Sequence, residues 1–503
     1  MEKKYLVFDL GASSIKTILF HFDGKSIVME VLDKFENRPV LINNTIYWNI
    51  FELFSNIKTS IKNAVVRFGK IESLGIDGWG SDFCIFDKNK RMISNPVNYR
   101  DKDRVLHSEM LYSILPKKRI FELTGHIYTP LIDLFQLYSF AVLKSPEIKE
   151  GYRYLSIPDS LNFFLTGNMI NEYTRATTSA LVDQVEKKWE EEIIKIFGFS
   201  RNIFGEFIMP GNIVGELSES VCEELDIKAV RIMACASHDT ASAVTGIPVS
   251  KEEKDWVFLS MGTWFCFGAE TCEPVINDNV FSAGFANQAA TEGKNLLFKN
   301  INGFWIIEKC KERWEKDAKN EITWEKIIDL SDKSKPFASF IDTDNTVFYN
   351  YHFDMPQKVR LFCKESGQKM PGTIGEIARC IFESLVFKIV YIVRSIEQIL
   401  GYKVKVLYLM GGVTQNSFIC QWIANAVNSI VIVCSSQSTS IGNCLMQLKA
   451  DNEIGDLSEG RKIVHDSIRI KEYYPWDCEI WNKNYNDFHE KIIRNKEEIK
   501  FNP

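Results

Sequence analysis

Apolar positions open this chain in short blocks. Tyr5–Leu10 and Ile15–Phe22 have strand length and are separated by Gly11-Ala12-Ser13-Ser14; a third block, Ser26–Phe35, follows the turn signal Asp23-Gly24. The spacing then changes to a helical one over Asn49–Arg67, and Ile71–Ile76 reads as another strand. Further on, Val230–Ala236 predicts a mostly buried strand, and Thr240–Val244 the first turn of a helix.

The opening pattern recurs once. Asp255–Gly268 is again strand, Gly-small turn, strand, and aligning Gly11 with Gly262 sets Ala12 against Thr263 and Phe8 against Leu259. A repeat at about 250 residues, half the chain, suggests two similar domains rather than a solenoid. A ligand cleft is expected between such halves. The second half continues with a helix at Gly303–Asp317, an insertion at 318–370 and a long helix at Ile374–Leu400. A strand at Val404–Met410 leads into Gly411-Gly412, followed by a helix at Ser417–Val427, a strand at Ile430–Cys434 and a helix from Ser440. This order predicts α/β layering. Lys496–Pro503 is polar and expected to fray.

Composition narrows the function without choosing it. The chain has 503 residues, 45% hydrophobic and 25% charged, ample for a large core. A net charge of −6 with scattered Lys and Arg gives no basic surface for nucleic acid. The 12 cysteines form no C-x-x-C pair and no zinc-spaced cluster, so buried thiols in a reducing compartment are expected. Asp9 and Gly11 cut short the N-terminal apolar run, which supports no export signal. Glu383, Lys388, Arg394 and Glu397 interrupt Ile381–Ile399, which reads as a buried amphipathic helix rather than a membrane span. A cytoplasmic protein, monomer or homodimer, with no membrane or nucleic-acid partner is expected.

Four stretches carry chemistry. In Ser237-His238-Asp239-Thr240, a carboxylate follows a histidine where a strand gives way to a helix; it is placed either to accept a proton from a substrate hydroxyl or simply to cap the helix. In Asp9-Leu10-Gly11-Ala12-Ser13-Ser14, small residues let backbone N–H groups approach phosphate oxygens, Lys16 adds a cation, and Asp9 could hold Mg²⁺ through water; an ordinary hairpin is the alternative. Gly262-Thr263 offers a matching turn for a γ-phosphoryl group, and Gly411-Gly412 allows close approach of a base or ribose, unless packing alone requires the glycines. Asp77-Gly78-Trp79-Gly80-Ser81-Asp82 combines an aromatic face with two carboxylates, as sugar sites do, or is a turn around a core Trp. No G-x-x-x-x-G-K-[ST] run and no protein-kinase signature occurs.

These stretches, in this order, resemble the FGGY family of sugar kinases, and within it most closely the rhamnulokinases. The likeness spans roughly residues 5–450. It rests also on Asn98-Tyr99-Arg100-Asp101, on Glu172 to Thr178, on Ala236 to Val244, on Leu259 to Trp264 and on Phe298-Lys299-Asn300-Ile301-Asn302-Gly303-Phe304-Trp305. The resemblance implies two actin-like (ribonuclease H-like) domains, 1–246 for sugar and catalytic base and 247–503 for nucleotide, around an interdomain cleft. It implies Asp239 as general base, with Gly80, His238, Thr240 and Asn300 on the ketose; Asp82 is added as a further expected sugar ligand. It implies ATP at Gly11, Ala12, Ser13, Ser14, Lys16, Gly262, Thr263 and Gly412, with Mg²⁺ near Asp9. The chain departs from the family pattern at Ile15-Lys16 (usually Gly-Arg), Asn287-Gln288-Ala289-Ala290 (Asn-Glu-Gly-Gly), Val413 (a third Gly), Ser435-Ser436-Gln437-Ser438 (Pro-Val-Glu-Ala) and Glu308 (often Gln). The expected activity is ATP-dependent phosphorylation of L-rhamnulose. Kinases of another deoxyketose or pentulose (L-fuculose, L-xylulose), a non-catalytic sugar sensor and an actin-like ATPase are the rivals.

Overall fold

The opening blocks form strands Lys3–Leu10, Ser14–Phe22 and Ile27–Glu36, paired antiparallel in sequence, in a computed structural model that describes residues 2–127, 129–349, 354–412 and 416–494. Ser73–Gly78 lies parallel to Lys3–Leu10, Arg231–Ala234 lies parallel beside it, and Asn212–Glu216 closes the edge antiparallel. From Tyr5 to Leu10 the first strand is apolar at every position but Asp9 because both faces are covered. Leu6, Phe8 and Leu10 pack with Ile57 and Ile61 of the helix Ile50–Phe68. Val7, with Ile18 and Phe20 of the next strand, packs on Ile441, Leu445 and Leu448 of the helix Ser438–Ala450.

The chain divides into two compact units. One comprises Met1–Glu253, Glu270–Phe298 and Gln437–Arg469; the other comprises Lys254–Ala269, Lys299–Ser436 and Ile470–Pro503. The first unit is therefore built from three separate pieces of chain. The second unit's strands run in the order Trp264–Thr271, Trp256–Met261, Val406–Met410, Ile430–Val433, Lys471–Tyr473, with pairings antiparallel, parallel, parallel, antiparallel. From its second strand outward the first sheet follows the same order and directions, so the duplication expected from the sequence is present as repeated topology.

Between residues 79 and 230, where no elements were expected, short helices such as Lys117–Thr124, Asp133–Val142 and Glu191–Ile196 surround a separate apolar cluster that includes Leu134, Leu137, Tyr154 and Trp189. The expected insertion contains the helices Trp324–Asp332 and Met355–Glu365. All 12 cysteines are free thiols. Among the described residues no helix is long and apolar enough to cross a membrane. Lys496–Pro503 and Val413 lie outside the described residues.

Candidate active site

In the first unit, Asp9 sits near the end of the first strand, in register with Lys16 on one side and Asp77 on the other. Lys16 Nζ is 3.2 Å from Asp9 Oδ2 and 3.4 Å from Gln437 Oε1. Burial raises the Asp9 carboxyl above its ordinary range, and Lys16 only partly offsets this. The turn between the strands is closed on itself: Gly11 N–H donates to Ser14 O at 2.9 Å, and a Cβ on Gly11 would lie 2.8 Å from that same oxygen. The Gly11 amide is thus already used within the turn. Asn37 fastens the turn from the third-strand side, donating to Gly11 O and Ser13 O at 3.0 Å each.

Asp77 is wholly buried. Asn443 Nδ2 donates to its Oδ2 at 2.6 Å, and its Oδ1 has no partner among the described residues. Burial first, then the Asp9 charge, pushes its carboxyl well above the usual range. A buried polar ladder holds Asn443 in place. Gln447 Nε2 donates to Asn443 Oδ1 at 2.9 Å and to Leu6 O at 3.0 Å, while Ser73 Oγ donates to Gln447 Oε1 at 2.7 Å. Gly75 is required beneath it, since a Cβ there would meet Asn443 Oδ1 at 2.3 Å. Sequence reasoning missed this ladder; its one signal is a polar pair at i, i+4, Asn443 and Gln447, inside an apolar helix.

Asp239 is the first residue of the helix Asp239–Thr245, and the N-cap is His238, with no side-chain capping bond. The loop before it is pinned from two sides. Gly78 N–H donates to Ser237 O at 2.9 Å, and the buried Glu172 accepts from Ser237 N–H at 3.0 Å while also holding Thr174 and Arg175. His238 Nε2 and Thr240 Oγ1 approach Asp239 Oδ1 at 3.3 and 3.2 Å. Among the described residues no side chain donates to Oδ2. Burial lowers the His238 imidazole to about 3, helped by the Arg175 charge, so the ring beside Asp239 is neutral. Gly80 makes room for it: a Cβ there would lie 2.6 Å from His238 Nε2. The Asp239 side chain keeps 37% of its surface accessible, yet it is deeply surrounded, and burial pushes its carboxyl up to about 6. An accessible carboxylate of this basicity, ionised above about pH 6, can take a proton from a substrate hydroxyl.

Asp82 does not fit the expected role of sugar ligand. Its carboxylate is fully enclosed and accepts from Trp48 Nε1 (2.6 Å), Trp79 Nε1 (3.2 Å), Tyr99 N–H (3.1 Å) and Arg104 Nη2. Four protein donors leave no face for a ligand. What it does instead is fix the aromatic wall in which Trp48 and Trp79 lie 4.4 Å apart, adjoining Gly80.

In the second unit, the Gly262–Thr263 turn is clasped by the start of the helix Trp305–Ala318. Gly303 N–H donates to Thr263 O and Phe304 N–H to Gly262 O, each at 3.1 Å, and a Cβ on Gly303 would meet Phe265 at 2.4 Å. The buried Lys388 anchors this clasp from the long helix Ile374–Leu400. Its Nζ is 2.6 Å from Asp344 Oδ2, and Asp344 Oδ1 accepts from Asn302 N–H at 2.9 Å. Thr263 Oγ1 donates to the Glu308 carboxylate, 3.1 Å from Oε2 and 3.3 Å from Oε1. A cavity of about 680 Å³ is lined by Phe304, Glu308, Phe382, Gly412, Asn416 and Phe418, among others. Gly411, at φ 103°, lies so close to Met261 O (2.3 Å from a Cβ) that only glycine fits; a Cβ on Gly412 would meet nothing within 4 Å. Asn300 is exposed on the strand Asn295–Asn302 in this unit. The structure thus gathers Asp9, Gly11 to Lys16, Gly80, His238, Asp239 and Thr240 in the first unit, and Gly262, Thr263, Asn300 and Gly412 in the second. Among the described residues no group of three or more His, Cys, Asp or Glu is arranged as a metal cage.

Sequence comparisons show the family, and structure comparisons the fold. The N-terminal domain of the FGGY family of carbohydrate kinases matches residues 4–246, and its C-terminal domain matches residues 257–450. A rhamnulokinase of Bacteroides thetaiotaomicron is 32% identical over 97% of this chain and 99% of its own length. One of Oceanobacillus iheyensis is 31% identical over 94% and 98%. Among solved structures, a ligand-bound xylulose kinase from Lactobacillus acidophilus superimposes with a TM-score of 0.82 at 16% identity over 98% of both chains. A Plasmodium falciparum glycerol kinase with ADP gives 0.78 at 16% identity over 97% of this chain and 98% of that one. Those two likenesses concern the two-domain actin-like fold.

Proposed function

Because the chain belongs to the FGGY family of carbohydrate kinases, we propose that it transfers the γ-phosphoryl group of ATP to the 1-hydroxyl of L-rhamnulose, releasing ADP and L-rhamnulose 1-phosphate. The observation that carries the chemistry is Asp239: accessible, held at Oδ1 by the Thr240 hydroxyl with His238 Nε2 3.3 Å away, and with its carboxyl pushed up to about 6. The choice of sugar leans on the rhamnulokinase relatives.

Asp239 accepts the proton of the attacking hydroxyl as the new O–P bond forms and the bond to the ADP oxygen breaks in line. Gly80, His238, Thr240 and Asn300 contact the ketose, and neutral His238 lies beside the base. Ala12 to Lys16, Gly262, Thr263 and Gly412 hold the nucleotide, with backbone N–H groups and the Lys16 charge facing its phosphates. On this reading residues 1–246 carry the base, most of the ketose contacts and the turn Ala12 to Lys16, and residues 247–503 add Asn300 for the ketose and Gly262, Thr263 and Gly412 for the nucleotide. Mg²⁺ suits an all-oxygen site with few protein ligands; Asp9, with Lys16 on one of its oxygens, is fitted to hold the ion's water shell. Such an ion, when bound, neutralises phosphate charge. On this reading the protein works in the cytoplasm, where ATP is supplied.

The test is ADP release with Mg-ATP across a panel of ketoses. Release that requires L-rhamnulose supports the assignment, and release with L-fuculose or L-xylulose alone corrects the sugar. Sugar binding without release from any ketose overturns the enzyme in favour of a sensor.

A further inference from the structure

Glu308 sits where the phosphate-facing turn meets the cavity. It lines that cavity with Gly412 and Asn416, and both of its carboxylate oxygens lie within 3.3 Å of the Thr263 hydroxyl. A hydroxyl has one proton. Given to Glu308, that proton is not available to a phosphate oxygen, and Thr263 turns lone pairs, not a donor, toward any anion beside it. The charge balance points the same way. Lys309, next in sequence, is engaged by Glu312 at 2.6 and 2.7 Å and lies over the Trp305 ring. Glu325, Asp329 and Asp332 of the helix Trp324–Asp332 line the same cavity, so the surroundings of Glu308 are acidic.

We propose that Glu308 is an affinity-setting residue for the nucleotide: it takes the Thr263 hydroxyl proton and places a negative charge beside the phosphates, holding ATP affinity below what the turn alone would give. This rests on the reading of the Gly262–Thr263 turn and Gly412 as nucleotide contacts. Glutamine in the same place would donate its amide N–H to Thr263 Oγ1, release the hydroxyl proton toward the phosphate and remove the charge.

The experiment is a double-mutant cycle on the full chain, reading KM for ATP and, independently of turnover, Kd for ADP by calorimetry. E308Q lowers both about tenfold, while KM for the ketose moves less than twofold. T263V costs at least fivefold more in the E308Q background than in the wild type, because only there does the hydroxyl donate to phosphate. Burial raises the Glu308 carboxyl above its ordinary range, opposed by Thr263 and Lys309 and reinforced by Glu312. Wild-type ADP affinity therefore rises as the pH falls through that raised range, by more than in E308Q, which lacks that carboxyl. Weaker ADP binding in E308Q overturns the proposal, showing a carboxylate that helps the nucleotide through a cation or a ribose hydroxyl. Equal cost of T263V in both backgrounds overturns it too. Failure of the nucleotide reading itself looks different. G412L, whose Cβ would have no described atom within 4 Å, abolishes ADP binding if the nucleotide lies there and leaves it unchanged if it does not.

Discussion

Two aspartates of the first unit, Asp82 and Asp239, follow similar strand-end turns and end in opposite situations. Asp82 is enclosed, with four protein donors including a buried guanidinium. Asp239 keeps 37% of its side-chain surface accessible, and among the described residues one side chain, Thr240, donates to it, at one oxygen. A saturated carboxylate has nothing left to offer a substrate and serves as a keystone for its neighbours. An under-saturated one, raised by burial but reachable, is fitted to accept a proton. The difference is one of satisfaction rather than residue type.

The comparison can be broken most sharply at Asp239. D239N is expected to lose at least about 10²-fold in kcat with little change in Tm, the scale of a lost general base. D82N should do the reverse: unfolding free energy falls by about 3 kcal/mol or more, as when a buried ion pair loses one partner, and urea unfolding would register it. A fully stable but inactive D82N would return Asp82 to the substrate. G80A forces His238 aside and is expected to raise KM for the ketose about tenfold with a smaller fall in kcat, as steady-state kinetics would resolve. T240V is the mildest. It removes a donor that favours ionised Asp239, so the acid limb of the pH profile should move up by about half a unit.

Much of the scaffold was legible because its signals are local. The helix Ile374–Leu400 begins with a Thr373–Glu376 capping box and ends at the left-handed Gly401; Ser417–Val427 starts at Asn416, whose side chain accepts from Phe418 N–H and Ile419 N–H. The duplicated strand-turn-strand was visible because each copy buries a near-continuous apolar strand. The site was legible only as a set of motifs. That Asp82 is sealed depends on Trp48, Tyr99 and Arg104, and that Asn443 and Gln447 reach the first sheet depends on a helix more than three hundred residues away, as the separation of 366 between Asn443 and Asp77 shows. No periodicity encodes either. The bond between Thr263 and Glu308 spans 45 positions and is equally silent in the sequence, although Glu308 stood out as a departure.

The most direct test of Asp239 as base is the pH dependence of kcat/KM for the ketose, measured in wild type and D239N. A base whose carboxyl stands at about 6 is ionised above that pH and protonated below it, so wild-type kcat/KM should fall tenfold per unit below about pH 6 and level off above. In D239N the residual rate should show no such limb. A wild-type profile flat from pH 5 to 7, or the same acid limb persisting in D239N, would contradict the assignment.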